Sequence, residues 1–292
     1  MRALRRLQKI ITMNNAFIIT QKNNIWFGSF PLLSQAGFIN GCSCRLHGES
    51  VVVPHTLNLA LHVGDEQNLV LRNRQRFADA LGVDAKKFTT CQQVHGSCVV
   101  VVDENLVGAG ALDFADTIAA TDALVTKLAD VPLLLFYADC TPVLLADPVS
   151  GAIGLAHAGW RGTVAEIAAK TVQAMAENFG AQPQNILAAI GPSIGSCCYE
   201  VDDFVREHAL AQEKEQEICG VYTKFFTPVE QKQGHYLLDL WGYNRCVLER
   251  AGVRAENIVA AEVCTAHNHE LFCSYRAENG TTGRMGVCLC RK

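Results

Sequence analysis

The sequence has no long uninterrupted hydrophobic run and no excess of positive charge. None of its stretches reaches the about 18 uncharged apolar residues that a membrane-spanning helix needs. Its 25 lysines and arginines are outnumbered by 29 aspartates and glutamates, which gives a formal net charge of −4. A chain with this balance has no global basic field to attract nucleic acid. These absences predict a protein that binds neither a membrane nor nucleic acid.

The sequence also lacks the cysteine spacings of zinc ribbons and of small disulfide-bonded domains. Its 13 cysteines are an odd number in a long chain, and no two of them form a C-x-x-C motif. Pairs such as Cys42/Cys44 and Cys197/Cys198 are C-x-C or adjacent instead. Most cysteines are therefore predicted to be reduced and buried as small apolar side chains. The predicted location is the cytoplasm.

No Pro/Ser-rich linker or charged block divides the chain. Apolar residues make up 49% of the sequence and charged residues 18%, which is typical of a globular protein. The basic opening MRALRRLQKIITM has neither the apolar core nor the cleavage site of a secretory signal. We therefore predict that residues 1–13 are a disordered segment or extension and that residues 14–292 form a single domain.

Three segments share one plan, in which a helical pattern ends at a glycine and a short polar loop leads to an apolar strand. The glycines are Gly82, Gly180 and Gly252. Glycine suits this position because the backbone after a helix often becomes left-handed. The three strands are expected to begin at Phe88, Ile186 and Ile258. Recurring helix–strand units predict an α+β fold with mixed sheets.

The central segment 152–190 predicts a βαβ unit. AIGLAHA reads as a strand, and the following helix is expected to begin at Thr163, which would form a capping box with Glu166. Upstream, VPLLLFYAD is typical of a strand covered on both faces. Pro142 is expected to end that strand near Cys140.

Three side chains that bind metals lie at the predicted ends of strands: His95 in CQQVHGS, Cys140 in YADCTP and His157 in LAHAGWRG. Two imidazoles and a thiolate suit zinc and leave the fourth tetrahedral position open, as in catalytic sites. Other interpretations stay open at this point. Each residue alone could be a buried cysteine or a hydrogen-bonded histidine. Cys140 could also be a nucleophile with His157 as its base.

The turn GWRG leads into the expected helix at Thr163 and suggests a phosphate site. Arg161 and the amides of Gly162 and Thr163 are the candidates for holding the anion, and Arg45 is a second candidate. An ion pair at the surface or at an interface is the alternative role for Arg161.

Several polar residues are candidates for the wall of the same cleft. They are Gln93, Asn58, Cys264 and Tyr275 with its neighbour Arg276. Asp139 is expected to face away from the metal, because neighbours on a strand point to opposite faces.

Six blocks of the sequence closely resemble the YfiH/laccase-domain family. In chain order between residues 37 and 285, they are CQQVHG, ATDALVT, ADCTPVLLADP, GLAHAGWRGTV, AAIGPSIGSCCYEV and CTAHNHELFCSYRAENGTTGRMG. The resemblance implies a four-layer α/β/β/α sandwich and zinc bound by His95, Cys140 and His157. It implies phosphorolysis of adenosine, inosine, guanosine and methylthioadenosine, together with deamination of adenosine. The small-molecule partners would be a purine nucleoside and phosphate.

The resemblance leaves alternatives for the function. Some relatives have been assigned an editing role, hydrolysing an amide of a muramoyl-amino-acid nucleotide. The family's laccase label admits copper, although only HNH at 267–269 offers the H-x-H motif that multicopper oxidases repeat. A non-catalytic zinc-binding partner protein, with segment 221–229 at an interface, is a further alternative. The chain is expected to be a monomer or a homodimer.

Overall fold

The computed structural model describes residues 15–292, so the predicted extension at 1–13 lies outside the described residues. The α-helices in residues 15–292 are α1 (Pro31–Gln35), α2 (Gln67–Leu81), α3 (Trp160–Val164), α4 (Ile167–Phe179), α5 (Asp203–Glu215) and α6 (Leu240–Arg250). Among these described helices, none has the length and apolarity needed to cross a membrane.

The strands of the described chain are β1 (Ile18–Lys22), β2 (Ile25–Ser29), β3 (Phe38–Ser43), β4 (Val99–Val101), β5 (Ala123–Thr126), β6 (Leu133–Tyr137), β7 (Thr141–Ala146), β8 (Ile153–Ala158), β9 (Leu187–Ile190), β10 (Glu200–Asp202), β11 (Phe226–Pro228), β12 (His235–Leu238), β13 (Ile258–Ala260) and β14 (Met285–Arg291). One sheet has the strand order β1-β2-β3-β14-β6 and is antiparallel throughout. A mixed sheet has the order β13-β9-β7-β8-β5-β4. A small third sheet has the order β10-β12-β11.

Alternation along β6 shows how the two large sheets stack. Leu133 and Leu135 pack in the apolar cluster between the sheets, together with Leu144 and Leu155 of the mixed sheet. Leu134 points to the opposite face, into the cluster that α2 covers. Such alternation follows from the period of two residues in a strand. Full burial of a leucine side chain contributes about 1.5–3 kcal/mol, so this interlayer cluster is a major source of stability.

Helices cover the outer face of the mixed sheet as well. Val143 and Leu145 of β7 pack there with Val172 and Met175 of α4 and with Val247 of α6. The layers are therefore α2, the antiparallel sheet, the mixed sheet, and α4 with α6. This arrangement confirms the predicted α+β class and four-layer α/β/β/α sandwich.

The repeated helix–glycine–strand plan is present with one difference. Gly82 (φ 79°), Gly180 (φ 70°) and Gly252 (φ 92°) all have left-handed backbones, and a short 3₁₀ turn follows each one. Strands β9 and β13 then begin next to or at the expected residues. After the first glycine, however, Thr89 and Cys91 make only isolated bridges.

The expected capping box of Thr163 and Glu166 is wrong. Helix α3 begins earlier, at Trp160, and Glu166 then adopts a left-handed backbone (φ 57°) that separates α3 from α4. The Glu166 carboxylate accepts hydrogen bonds from the Tyr222 hydroxyl and from Gln216 Nε2. These tertiary partners replace the local capping interaction.

Pro142 does not end a strand. Strand β6 ends at Tyr137, and Pro142 is the second residue of β7, where it pairs with His157 of β8. Proline is tolerated near the beginning of a strand because little of the ladder depends on its missing N–H. Its carbonyl accepts a hydrogen bond from Gly191 N. Cys140 therefore lies in the turn between two strands.

All 13 cysteines are free thiols, and seven of them are buried. This confirms the prediction for most of the set. The segment 221–229 contributes Tyr222 and Phe226 to the apolar cluster beneath α4 and α6. These two aromatic side chains therefore belong to the core, whereas Lys224, Thr227 and Pro228 of the same segment are exposed.

Candidate metal centre

The structure brings His95, Cys140 and His157 together. Their ligand atoms, one sulfur and two ring nitrogens, all lie within 4.8 Å of one another. The ring centroids of His95 and His157 are 4.9 Å apart. Three separate segments supply the cluster: the loop after Cys91, the β6–β7 turn and the end of β8.

The register of β7 against β8 places the cysteine beside one histidine. Thr141 pairs with Ala158, and Pro142 pairs with His157. Cys140 immediately precedes β7, so it lies at the edge of the sheet where β8 ends. Gly159 is the first residue after β8. A Cβ atom at this position would lie 2.9 Å from Cys140 Sγ and 3.2 Å from His95 Cδ2. A residue larger than glycine would therefore push the cluster apart.

Asp122 holds both histidines and was missed in the sequence analysis. Its Oδ1 accepts a hydrogen bond from His95 N at 2.9 Å and lies 2.8 Å from His157 Nδ1. Its Oδ2 accepts from Val94 N at 3.2 Å and Gly96 N at 2.7 Å. These bonds fix the loop in which His95 has a left-handed backbone (φ 61°). The available signal was the single acid in ATDALVT, directly before buried strand β5.

The electrostatics of the cluster favour a thiolate. Burial opposes ionisation of the Cys140 thiol, but the nearby His157 and His95 rings outweigh burial and lower its pKa to about 6. Burial likewise disfavours a charged His157, but Cys140 and Asp122 outweigh it and raise its pKa to about 9. A thiolate with two imidazoles is a donor set that fits Zn²⁺.

The cluster opens into a cavity of about 570 Å³. Aromatic rings and guanidinium groups dominate its wall. The aromatic residues are Phe136, Trp160, Tyr199 and Tyr275, and the arginines are Arg161, Arg276 and Arg284. A volume of this size is typical of small-molecule sites.

Besides the proposed metal ligands, four of the residues chosen from the sequence line this cavity: Gln93, Arg161, Tyr275 and Arg276. Gln93 is fixed by two hydrogen bonds of 2.8 Å, one from its Nε2 to Phe136 O and one from Phe136 N to its Oε1. The Arg161 guanidinium stacks over the Trp160 ring at 4.3 Å. Tyr275 is about half exposed, at 53%.

Arg45, Asn58 and Cys264 are not among the residues that line the cavity. Arg45 is buried and pairs with Glu278 at 2.7 Å, so its charge is already neutralised. Asn58 is fully buried and bonds to Ala60, Asp65 and Arg284 N. Cys264 Sγ accepts hydrogen bonds from two backbone amides.

The Thr163 amide is also unavailable to the expected phosphate site. Because α3 begins at Trp160, the Thr163 amide donates to Gly159 O at 2.8 Å inside the helix. That N–H is thus not available to an anion. Arg161 remains in the cavity wall.

Asp139 is among the residues that line the cavity. It belongs to the turn between β6 and β7, so the strand alternation used in the sequence analysis does not apply to it. Its Oδ1 accepts from Thr265 Oγ1 at 2.6 Å and its Oδ2 accepts from Arg276 N at 2.8 Å. The carboxylate therefore joins this turn to the segment that carries Arg276.

His62 and Arg284 also line the cavity, and sequence reasoning missed both. Burial, together with the charges of Arg284 and Arg74, lowers the pKa of His62 to about 4, so this imidazole is neutral at pH 7. The sequence analysis had chosen Asn58 from the same segment, TLNLALHVGD. No periodicity distinguishes the buried amide from the histidine four residues later.

Comparisons with known proteins agree with this architecture. The sequence profile of the family described as multi-copper polyphenol oxidoreductase laccase matches residues 39–292. The purine nucleoside phosphorylase YlmD of Geobacillus stearothermophilus is 40% identical over 257 residues, which cover 88% of this chain and 91% of that protein. The adenosine deaminase RL5 of an unknown prokaryotic organism is 36% identical over 239 residues, 81% of this chain and 87% of that protein.

Two solved structures share the fold. The hypothetical protein YfiH of Bacillus licheniformis superposes with a TM-score of 0.86 at 34% identity, covering 96% of this chain and all of that one (100%). The structure of YlmD from Geobacillus stearothermophilus gives 0.83 at 36% identity, covering 94% of this chain and 98% of that one.

Proposed function

This chain belongs to the multi-copper polyphenol oxidoreductase laccase family, and from that premise we propose that it is a zinc-dependent purine nucleoside phosphorylase. The proposed substrates are adenosine, inosine, guanosine and methylthioadenosine, and the proposed second activity is deamination of adenosine. The observation that carries the proposal is the cluster of His95, Cys140 and His157 at a cavity walled by aromatic rings and arginines. Relatives bearing the names purine nucleoside phosphorylase and adenosine deaminase support it.

His95, Cys140 and His157 are the proposed metal ligands. Asp122 engages Nδ1 of His157 and so leaves Nε2 as the ring nitrogen available to a metal. Bound zinc would supply a Lewis acid that polarises an oxygen or nitrogen atom of the substrate. A thiolate and two imidazoles form a mononuclear donor set, so Zn²⁺ fits this cluster better than the several coppers of the family's description.

Arg161, Arg276 and Arg284 are the proposed phosphate-binding residues. Among the described residues that line the cavity, Asp139 is the one carboxylate, and hydrogen bonds from Thr265 and the Arg276 amide occupy both of its oxygens. The wall is therefore positively charged. Guanidinium groups suit phosphate because their planar N–H groups match its oxygens and their charge strengthens each hydrogen bond.

The aromatic wall is the proposed seat of the purine. Phe136, Tyr199 and Tyr275 offer ring faces or edges to a flat heterocycle. The neutral His62 ring can accept a hydrogen bond through its unprotonated nitrogen. It can thereby orient a purine N–H or ribose hydroxyl without adding charge beside the arginines.

The experiment that tests this function is turnover of inosine by the zinc-loaded full chain, with and without inorganic phosphate. Chromatography should detect hypoxanthine and ribose 1-phosphate in equal amounts only when phosphate is present. Cys140→Ser should abolish the products, whereas Cys219→Ser, an exposed cysteine outside the cavity wall, should not. Release of the base without phosphate, or no release at all, would contradict phosphorolysis. Ammonia formed from adenosine reports the deaminase activity separately.

A further inference from the structure

A second set of soft donor atoms lies apart from the first cluster. Sγ of Cys197, Sγ of Cys198 and a ring nitrogen of His267 all lie within 4.8 Å of one another. We propose that these three residues form a second metal site for a thiophilic closed-shell ion, Zn²⁺ or Cu⁺. The proposal concerns binding only and does not depend on which reaction the first site catalyses.

A tight turn makes the two adjacent cysteines converge. Cys198 N and Tyr199 N both donate to Gly195 O at 3.0 Å. On a strand, adjacent side chains would point to opposite faces. In this turn they point to the same side, and Cys197 Sγ donates to Cys198 Sγ at 3.6 Å.

The histidine comes from a segment that the fold holds against this turn. Ser193 and Cys264 form a parallel bridge, in which Thr265 N donates to Ser193 O at 3.0 Å. Gly195 packs there without a side chain, because a Cβ would lie 2.7 Å from the Trp241 ring and 3.3 Å from Cys264 Cβ. The proposed ligands thus come from two segments that are already joined.

The buried Cys264 sulfur strengthens this joint. It accepts a hydrogen bond from Gly195 N at 3.2 Å and from His267 N at 3.4 Å. Gly195 belongs to the turn that carries the two cysteines, and His267 belongs to the segment that carries the imidazole. N–H···S bonds of this kind hold the turn that carries the two cysteines and the segment that carries His267 at a fixed separation before an ion arrives.

The donor set favours a metal ion over a disulfide. A disulfide between Cys197 and Cys198 would involve the two sulfurs alone, whereas a ring nitrogen of His267 also lies within 4.8 Å of both. Two thiolates and an imidazole are instead a ligand set that binds Zn²⁺ or Cu⁺. Cys197 and His267 are exposed, so an ion can enter from solvent.

An ion at this position would also brace the wall of the first cavity. Tyr199, which lines that cavity, follows Cys198 directly. Arg276 Nη1 donates to Glu200 O at 3.1 Å and to Cys198 O at 3.5 Å, and its guanidinium lies over the Tyr199 ring at 5.3 Å. Fixing the cysteine turn would therefore fix the aromatic ring and the arginine that it supports.

Metal stoichiometry of the full chain tests the proposal. Wild type, Cys197→Ser/Cys198→Ser, Cys140→Ser and the exposed-cysteine control Cys219→Ser are equilibrated with Zn²⁺ or Cu⁺ under reducing, anaerobic conditions and desalted. Elemental analysis should give two ions for wild type and the control, and one for each of the other variants. Cobalt substitution gives an independent readout, because the sulfur-to-cobalt charge-transfer band should weaken in the double variant.

A double variant with the same metal content as wild type would overturn the proposal. So would a Cys140→Ser protein with no metal. Should the double variant fail to fold by circular dichroism, the single exposed-site variant His267→Gln decides: it should lose one ion, and retention of both would overturn the proposal. A wild type that binds a single ion, which Cys140→Ser keeps and the double variant loses, would count against the first site while leaving the second intact. The two failures are therefore distinguishable.

Discussion

One carboxylate oxygen of Asp122 lies 2.8 Å from His157 Nδ1 and 2.9 Å from His95 N. The same residue thus orients one candidate ligand through its ring and the other through its backbone. Burial opposes ionisation of Asp122, but its bonds with His157 and with the Gly96 and Val94 amides outweigh burial and lower its pKa. Asp122 is therefore a charged acceptor around which the metal centre is organised.

Replacing Asp122 with asparagine should weaken zinc binding about 10- to 100-fold, the usual cost of losing a carboxylate that supports a ligand histidine. In the variant, the side-chain Nδ2 of the asparagine would lie opposite backbone N–H groups that donate to an Asp122 oxygen in the wild type. The dissociation constant, measured by competition with a chromogenic chelator, checks this. Asp116→Asn, an exposed acid nearby, is the matched control. Equal affinities for the two variants would show that Asp122 does not support the ligands.

Removing the metal distinguishes a zinc enzyme from a cysteine nucleophile. The lowered pKa of Cys140 and raised pKa of His157 describe a thiolate–imidazolium pair, which is also what nucleophilic catalysis needs. We expect dialysis against a chelator to abolish nucleoside turnover and added Zn²⁺ to restore it. Metal content and rate are measured on the same samples. A metal-free sample with full activity would favour the nucleophile.

Replacing Arg161 with alanine should raise the KM for phosphate about tenfold, which corresponds to about 1.4 kcal/mol. The reason is the loss of one charge-assisted contact in the cavity wall, while the metal ligands stay in place. Arg254→Ala, an exposed arginine outside the wall, serves as the control. Steady-state kinetics at saturating inosine, combined with zinc analysis, gives both numbers. An unchanged KM would remove Arg161 from the phosphate site.

The sequence predicts what depends on local pattern and misses what depends on distant partners. Strand alternation and the helix-ending glycines are local, and they predict the α+β class with mixed sheets, whereas the four-layer arrangement was implied by the family resemblance. The cluster of His95, Cys140 and His157 was also anticipated, because each residue stands beside a recognisable break in an apolar run. The role of Asp122 could not be derived from pattern, because it acts on residues 27 and 35 positions away.

Arg45 and Thr163 show the same limitation of sequence patterns, because each suits a predicted role by residue type but is engaged differently in the folded chain. As residue types they suit a phosphate site, but the partner that neutralises Arg45 lies 233 positions away in the sequence. Thr163 and Glu166 have the spacing of a helix capping box. The Glu166 carboxylate instead accepts a hydrogen bond from the hydroxyl of Tyr222, which lies 56 positions away in the sequence. Only the folded chain decides between a local interaction and a tertiary one.

The buried pair of Arg45 and Glu278 should matter for stability. Arg45→Met leaves Glu278 without its partner, and breaking a buried pair costs about 3–5 kcal/mol. Glu278 keeps bonds from Ser274 N and Thr282 Oγ1 and is 17% exposed, so we expect the lower end, about 3 kcal/mol, in urea denaturation. The control is Arg72→Met, whose pair with Glu49 is exposed at 55% and 36%. Exposed pairs contribute about 0–1 kcal/mol. A similar loss of unfolding free energy in both variants would show that the pair of Arg45 and Glu278 is no more stabilising than an exposed one.

Glu213 should make stability depend on pH. Its carboxylate accepts hydrogen bonds from the amides of Tyr222 at 2.6 Å, Thr223 at 2.8 Å and Gly220 at 3.2 Å. Burial alone would raise the pKa of Glu213, but these bonds outweigh burial and lower it. Because the folded pKa lies below the unfolded value, the carboxylate stabilises the protein above the unfolded pKa of about 4.3. That contribution is lost as the pH falls through the folded pKa.

Replacing Glu213 with glutamine should therefore lower the free energy of unfolding at pH 7 by about 1–3 kcal/mol, the cost of weakening hydrogen bonds to a charged group. The difference from wild type should shrink as the pH falls below about 4, because wild-type Glu213 is then losing its charge as well. Denaturant titrations at pH 7 and at acid pH measure both values. Glu215→Gln, on the exposed face of the same helix, should change neither. A difference that stays constant with pH would mean that shape, and not charge, is what the amides of residues 220–223 recognise.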